Sequence, residues 1–98
     1  MESLLPSVKA RCLCTVLLEA RHQSGLTQKQ LAERLQMPQS TVAKIENGDR
    51  EVRLVELPEI AQALGLSMVQ LVTRFEQAMQ FAARPQGNAG GARSFRAR

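Results

Sequence analysis

The stretch GLTQKQLAERLQMPQSTVAKIENG, Gly25 to Gly48, reads as two short helices on either side of a tight connection. Thr27 supplies a hydroxyl N-cap for the first, and Leu31, Ala32 and Leu35 recur at the spacing of one buried helix face. The second starts after Pro38, turns Val42 and Ile45 inward, and meets a stop at Asn47-Gly48, a pair suited to a helix C-terminus. Only Gln36, Met37 and Pro38 lie between them, and a connection that short forces a steep crossing. Ala32 fits the point where the second helix passes close over the first, because only a small side chain leaves room there.

Outward from this pair, the pattern predicts three more helices. Helix one runs from about Pro6 or Ser7 to Gln23, with Pro6 suited to a first turn. Helices two and three span about 27–35 and 39–46. Helix four covers about Leu54 to Leu64, with Pro58 near its first turn and Gly65 ending it. Ser67 caps helix five, which carries Met68, Leu71, Val72, Phe75, Met79 and Ala82 before Pro85. No internal repeat is visible.

Gly25-Leu26-Thr27-Gln28, Leu31-Ala32, Lys44-Ile45-Glu46-Asn47-Gly48 and Ala61-Gln62-Ala63-Leu64-Gly65 together resemble the lambda-repressor-like (Cro/repressor, XRE) helix-turn-helix family of bacteria and phages. The likeness extends from about Leu17 to Val72. It implies an all-α, five-helix lambda-repressor-like DNA-binding domain, here with an extended C-terminal helix. Three positions depart from the family pattern. Gln36 replaces the usual turn glycine, so a non-glycine is expected at positive φ. Pro38 replaces the usual Ser or Thr cap, and Asp49 and Glu51 occupy a loop where relatives carry lysines.

Composition agrees with one small helical domain. The chain has 98 residues, no Trp or Tyr and three Phe, and its apolar share comes mainly from Leu, Val and Ala. No apolar run approaches the roughly 18–20 residues of a membrane span, and no export signal is legible at the start. Cys12 and Cys14, two apart on a helix, point in different directions and cannot pair. With one histidine they make no zinc site, and both are read as buried, reduced thiols of a cytoplasmic protein, with no cofactor. The single histidine, His22, lies among polar residues with no nucleophile, metal cluster or phosphate loop nearby, which argues against an enzyme.

The net charge of +4 is unevenly placed. Residues 1–83 hold nine basic and nine acidic groups, whereas Arg84, Arg93, Arg96 and Arg98 lie in an acid-free, Gly- and Ala-rich tail. Residues 1–83 are therefore read as the domain, with the helix-turn-helix at about 27–47, and 84–98 as a disordered basic tail. Attraction to DNA then depends on how the charges of the body are arranged.

Residues on helix three opposite Val42 and Ile45 are Gln39, Ser40, Ala43 and Lys44. By the resemblance these meet base edges: Gln39 matches adenine's paired groups, Ala43 a thymine methyl, Lys44 a guanine edge or a phosphate. Phosphate contacts fall to Gln28, Thr41, Asn47, Arg50 and Arg53, aided by the free amides and partial positive charge at the start of helix two. In this family an arginine and a glutamate at the positions of Arg21 and Glu46 form a partly buried pair tying helices one and three together.

Two features exceed a minimal domain of this kind. Helix one is apolar on nearly every side through Cys12–Leu18, and helix five carries its stripe well past Val72. Either helix five folds back onto helix one, or Leu71, Val72, Phe75 and Met79 form a homodimer interface; the second is the expectation, because such proteins commonly read two-fold operators as dimers. The expected protein is a cytoplasmic, nucleoid-associated regulator that binds double-stranded DNA as a homodimer and represses at a palindromic operator. No membrane and no small-molecule ligand are expected. The alternative is the antitoxin of a toxin–antitoxin pair, with a toxin as an additional partner.

Overall fold

A computed structural model describes residues 4–84, which form five α-helices and, among the described residues, no strand. They are α1 (Pro6–Gln23), α2 (Gln28–Leu35), α3 (Gln39–Asn47), α4 (Leu57–Ala63) and α5 (Met68–Ala83). The basic tail, apart from Arg84, lies outside the described residues.

Local sequence sets each boundary. Pro6 occupies the first turn of α1, where its missing amide is harmless. Helices α2 and α5 start with the same reciprocal box. The Thr27 hydroxyl accepts from the Gln30 amide at 3.0 Å while Gln30 Oε1 accepts from the Thr27 amide at 2.9 Å, and Ser67 and Gln70 repeat this at 3.0 and 2.9 Å. The first four helices share one ending. Beyond each, one residue turns left-handed and the next amide reaches back to the carbonyl five before it, as in Leu26 N–H to Arg21 O at 3.2 Å and Leu66 N–H to Ala61 O at 2.8 Å. Glycine takes the left-handed position three times; after α2 it is Gln36, at φ 55°. The three-residue connection demands that conformation, and the Met37 amide bond to Ala32 O at 3.0 Å offsets its steric cost.

The core is built from Leu17, Leu31, Ala32, Val42, Ile45, Ile60, Ala61, Leu64 and Leu71, all buried. Ala32 on α2 and Ala61 on α4 are small buried side chains on the helices against which α3 and α5, respectively, pack, and Arg34 on α2 donates to Ala63 O at 2.9 Å, closing the end of α4. Ser24 ties the ends of α1 and α4 together, its hydroxyl lying 2.7 Å from Ala20 O and 2.9 Å from Leu64 O.

Two expectations need correction. The fourth helix does not begin at Leu54: residues Leu54–Glu56 form a separate 3₁₀ turn. Pro58 has no amide to offer Leu54, so a continuous α-ladder cannot pass through it, and the turn closes instead through Glu56 N–H to Arg53 O at 2.9 Å. Nor does the apolar stripe of α5 face outward as a unit. Leu71 is 1% exposed, sealed in the core of its own chain, and Phe75 and Met79 are half-buried. Helix α5 packs along α1 as far as Cys12, whose thiol lies 3.7 Å from Ala78 O, so α1 receives its second cover from within the chain. Of the four residues, only Val72 is exposed, at 42%.

Candidate nucleic-acid interface

The surface of α3 is fixed from behind. Val42 and Ile45 are buried, and with them inward, Gln39, Ser40 and Lys44 are exposed on the opposite side, with Thr41 and Ala43 half-buried at its margins. Pro38 N-caps this helix without a side-chain bond, although its carbonyl accepts from Thr41 N–H at 3.0 Å. No hydrogen bond engages the Gln39 or Ser40 amides among the described residues, so the start of α3 presents donors to whatever lies in front of it. Asn47 is exposed at the other end, followed by the Gly48–Arg53 loop.

Arg21, buried on α1, holds α3 in place. Its Nε donates to Glu46 Oε2 at 2.6 Å and its Nη2 to Glu46 Oε1 at 3.1 Å, while Nη1 reaches Leu26 O at 2.9 Å. Three elements are joined by one planar group: the end of α1, the turn before α2 and the end of α3. His22 Nε2 lies 3.2 Å from Arg21 Nη2 at its outer edge. The Gln28 side-chain amide joins from α2, donating to Glu46 Oε1 at 2.8 Å. Cys14, half-buried, points its thiol at Ile45 O, 3.3 Å away, and burial pushes the thiol above its ordinary range. It packs; it is not an activated nucleophile.

The loop after α3 is organised by a pair that periodicity does not announce. Arg50 Nη1 and Nη2 donate to Glu56 Oε1 and Oε2 at 3.1 and 2.7 Å, and Glu56 Oε1 also accepts from the Arg53 amide at 2.9 Å. The Arg50 guanidinium is the main reason the Glu56 carboxyl sits far down, at about 2, with the Arg53 amide adding to it. Arg50, a candidate phosphate contact, thus has its charge partnered by Glu56. Arg53 is exposed, and among the described residues its side chain has no partner. Among the described residues Lys44, Arg53 and Arg11, the last lining a groove with Asn47 and Gly48, carry unpaired positive charge near α3, against Asp49 and Glu51.

No group of His, Cys, Asp and Glu residues among those described is arranged to hold a metal ion, and no helix is long and apolar enough to cross a membrane.

The comparisons agree with this geometry. Residues 17–71 match the Helix-turn-helix family model HTH_3. The HTH-type transcriptional regulator y4dJ of Sinorhizobium fredii is 42% identical over 53 residues, which cover 54% of this chain and 69% of that protein. Among solved structures, an XRE-family like protein from Pseudomonas syringae pv. tomato superposes with a TM-score of 0.67 at 37% identity, covering 72% of this chain and 87% of its own. The clp gene regulator ClgR from Corynebacterium glutamicum gives a TM-score of 0.70 at 25% identity, over 85% and 84% of the two chains.

Proposed function

Since the chain belongs to the helix-turn-helix family of DNA-binding transcription regulators, we propose that it is a repressor that occupies a palindromic operator as a homodimer and excludes polymerase from it. The observation that carries this reading is the exposed face of α3. Gln39, Ser40 and Lys44 stand free on a helix whose other face is locked by Val42, Ile45 and the Arg21–Glu46 fork. Gln39 reads a base pair with its amide, Ser40 and Ala43 complete the base contacts, and Lys44 adds a cation at the groove edge. Gln28, Thr41, Asn47 and Arg53 hold the flanking phosphates; Arg50 shapes the loop between them. A body with balanced charge releases few counterions on binding, so two weak half-site readers gain most by being joined.

The surface for that joining follows from what the core leaves over. Leu71 is spent inside the chain, whereas Val69 and Val72 on α5 are 75% and 42% exposed. Leu54 and Val55, just before α4, are exposed as well. Val69 and Val72, three apart, share one face of α5, and that face is the one offered to a second copy.

Selection from a randomised DNA pool with the purified full chain tests the reading, with the enriched motif expected to be two-fold symmetric. Gln39→Ala should then flatten preference at one position per half-site, at a cost of about 1–3 kcal/mol. Equal loss on specific and random duplexes would make Gln39 a backbone contact. Light scattering is expected to give a dimer at micromolar concentration, and Val69→Glu with Val72→Glu a folded monomer with weaker operator binding. A parent monomer whose operator affinity is untouched by the double substitution would remove the dimer. A second polypeptide that co-purifies in fixed ratio would favour the antitoxin reading instead.

A further inference from the structure

The Glu46 carboxylate serves two partners of different kinds. Toward Arg21 it closes a two-pronged ion pair, at 2.6 and 3.1 Å. Toward Gln28 it does something that an ion pair does not need: Oε1 accepts from Gln28 Nε2 at 2.8 Å. A primary amide has two ends of nearly equal size, and only its hydrogen bonds decide which end faces where. An ionised carboxylate accepts and never donates, so the nitrogen end of Gln28 must face Glu46. One of the two N–H groups is used, and the second remains. Among the described residues no other side-chain hydrogen bond of Gln28 competes for it.

We propose that Glu46 is a positioning residue for DNA: it orients the Gln28 amide so that the second N–H meets the phosphate over the start of α2. This rests on the reading above, in which that helix start lies on the DNA backbone. With the amide turned the other way, its oxygen would face the phosphate and repel it. An acidic residue is tolerable so close to a phosphate because Arg21 neutralises it. The side chains of the two are only 9% and 5% exposed, and the third arm of Arg21 is spent on Leu26 O rather than on solvent. The buried pair thus does more than hold α1 to α3; it sets the polarity of a surface donor that it supports from beneath.

The test is a double-substitution cycle on the full chain, read as affinity for a short random-sequence duplex, since a phosphate contact is independent of sequence. Gln28→Met, which keeps the length and removes the donor, should weaken binding about 10- to 100-fold, the worth of one hydrogen bond to a charged group. Glu46→Gln should weaken it to a similar degree, and the two together no further than Gln28→Met alone. Glu46→Gln should nevertheless lower the melting temperature in both backgrounds, because its ion pair with Arg21 is lost in each, which separates positioning from stability. Multiplying losses, or a Glu46→Gln protein that binds like the parent, would overturn the proposal. Should Glu46→Gln not fold, side-chain amide spectra of ¹⁵N-labelled parent protein decide the matter. One Gln28 amide proton should already be held in the free state, and only the other should shift on addition of duplex. Both shifting together, or neither, would overturn it. A parent that binds no duplex would instead remove the DNA-binding reading, and this inference with it.

Discussion

Two arginine–glutamate forks stand a few residues apart in this small domain, alike in chemistry and opposite in circumstance. Arg21–Glu46 joins three elements with side chains 9% and 5% exposed, whereas Arg50–Glu56 braces a loop with side chains 35% and 20% exposed. Their shortest contacts are nearly equal, at 2.6 and 2.7 Å. Distance therefore says little about what each is worth. The buried fork exists only because each partner satisfies the other, so removing one strands a charge away from water. The exposed fork exchanges one hydrated state for another, and water takes over whatever is removed.

The largest effect should come from the buried fork. Arg21→Ala is expected to cost about 3–5 kcal/mol, with each kcal/mol lowering the melting temperature by about 4–8 °C in a domain of this size. Arg21→Lys should recover only part of this, because one ammonium cannot hold Glu46 and Leu26 O together in a planar fork. An Arg21→Ala protein that melts like its parent but fails on DNA would break the comparison. The exposed fork should respond less: Arg50→Ala should lower the melting temperature far less than Arg21→Ala, and molar salt should shrink its effect while leaving the Arg21 effect almost intact. Acid sharpens the contrast further. The Glu56 carboxyl, held down near 2 against an ordinary 4.5, binds its proton more readily in the unfolded chain. Its contribution is thus complete above about pH 4.5 and disappears as pH falls toward 2. The stability difference between parent and Glu56→Gln, well under ~1 kcal/mol for so exposed a pair, should close across that window in acid-titrated melts. A difference that stays constant to pH 2 would remove Arg50 as the cause.

The same contrast explains what was legible in the sequence. Helix ends were, since Thr27, Ser67, Gly48 and Gly65 act on bonds within a few residues. Even the left-handed Gln36 was legible, because the family resemblance places a turn glycine at that position. What escaped depended on meetings between distant residues. Gln28 finds Glu46 across 18 positions, and Arg50 finds Glu56 through a turn whose form depends on Pro58. Neither has a period to betray it. The stripe on α5 shows the same limit. Its spacing announced an apolar face through Leu71, Phe75 and Met79, but spacing cannot say whether α1 of the same chain or a second copy covers it. Here the nearer partner, at higher effective concentration, took Leu71 first.

The packing of α5 along α1 also has a meaning in the order of synthesis. Helix α1 emerges before α5 yet is covered by it as far as Cys12, through contacts that reach Ala78. While the ribosome is still adding α2 to α4, the apolar length of α1 has no permanent cover. The pair α2–α3, by contrast, closes over a three-residue connection and can form locally. Growth of the chain thus delivers the α2–α3 pair before the seal on α1, and a nascent chain halted before α5 would leave the Cys12 side of α1 uncovered.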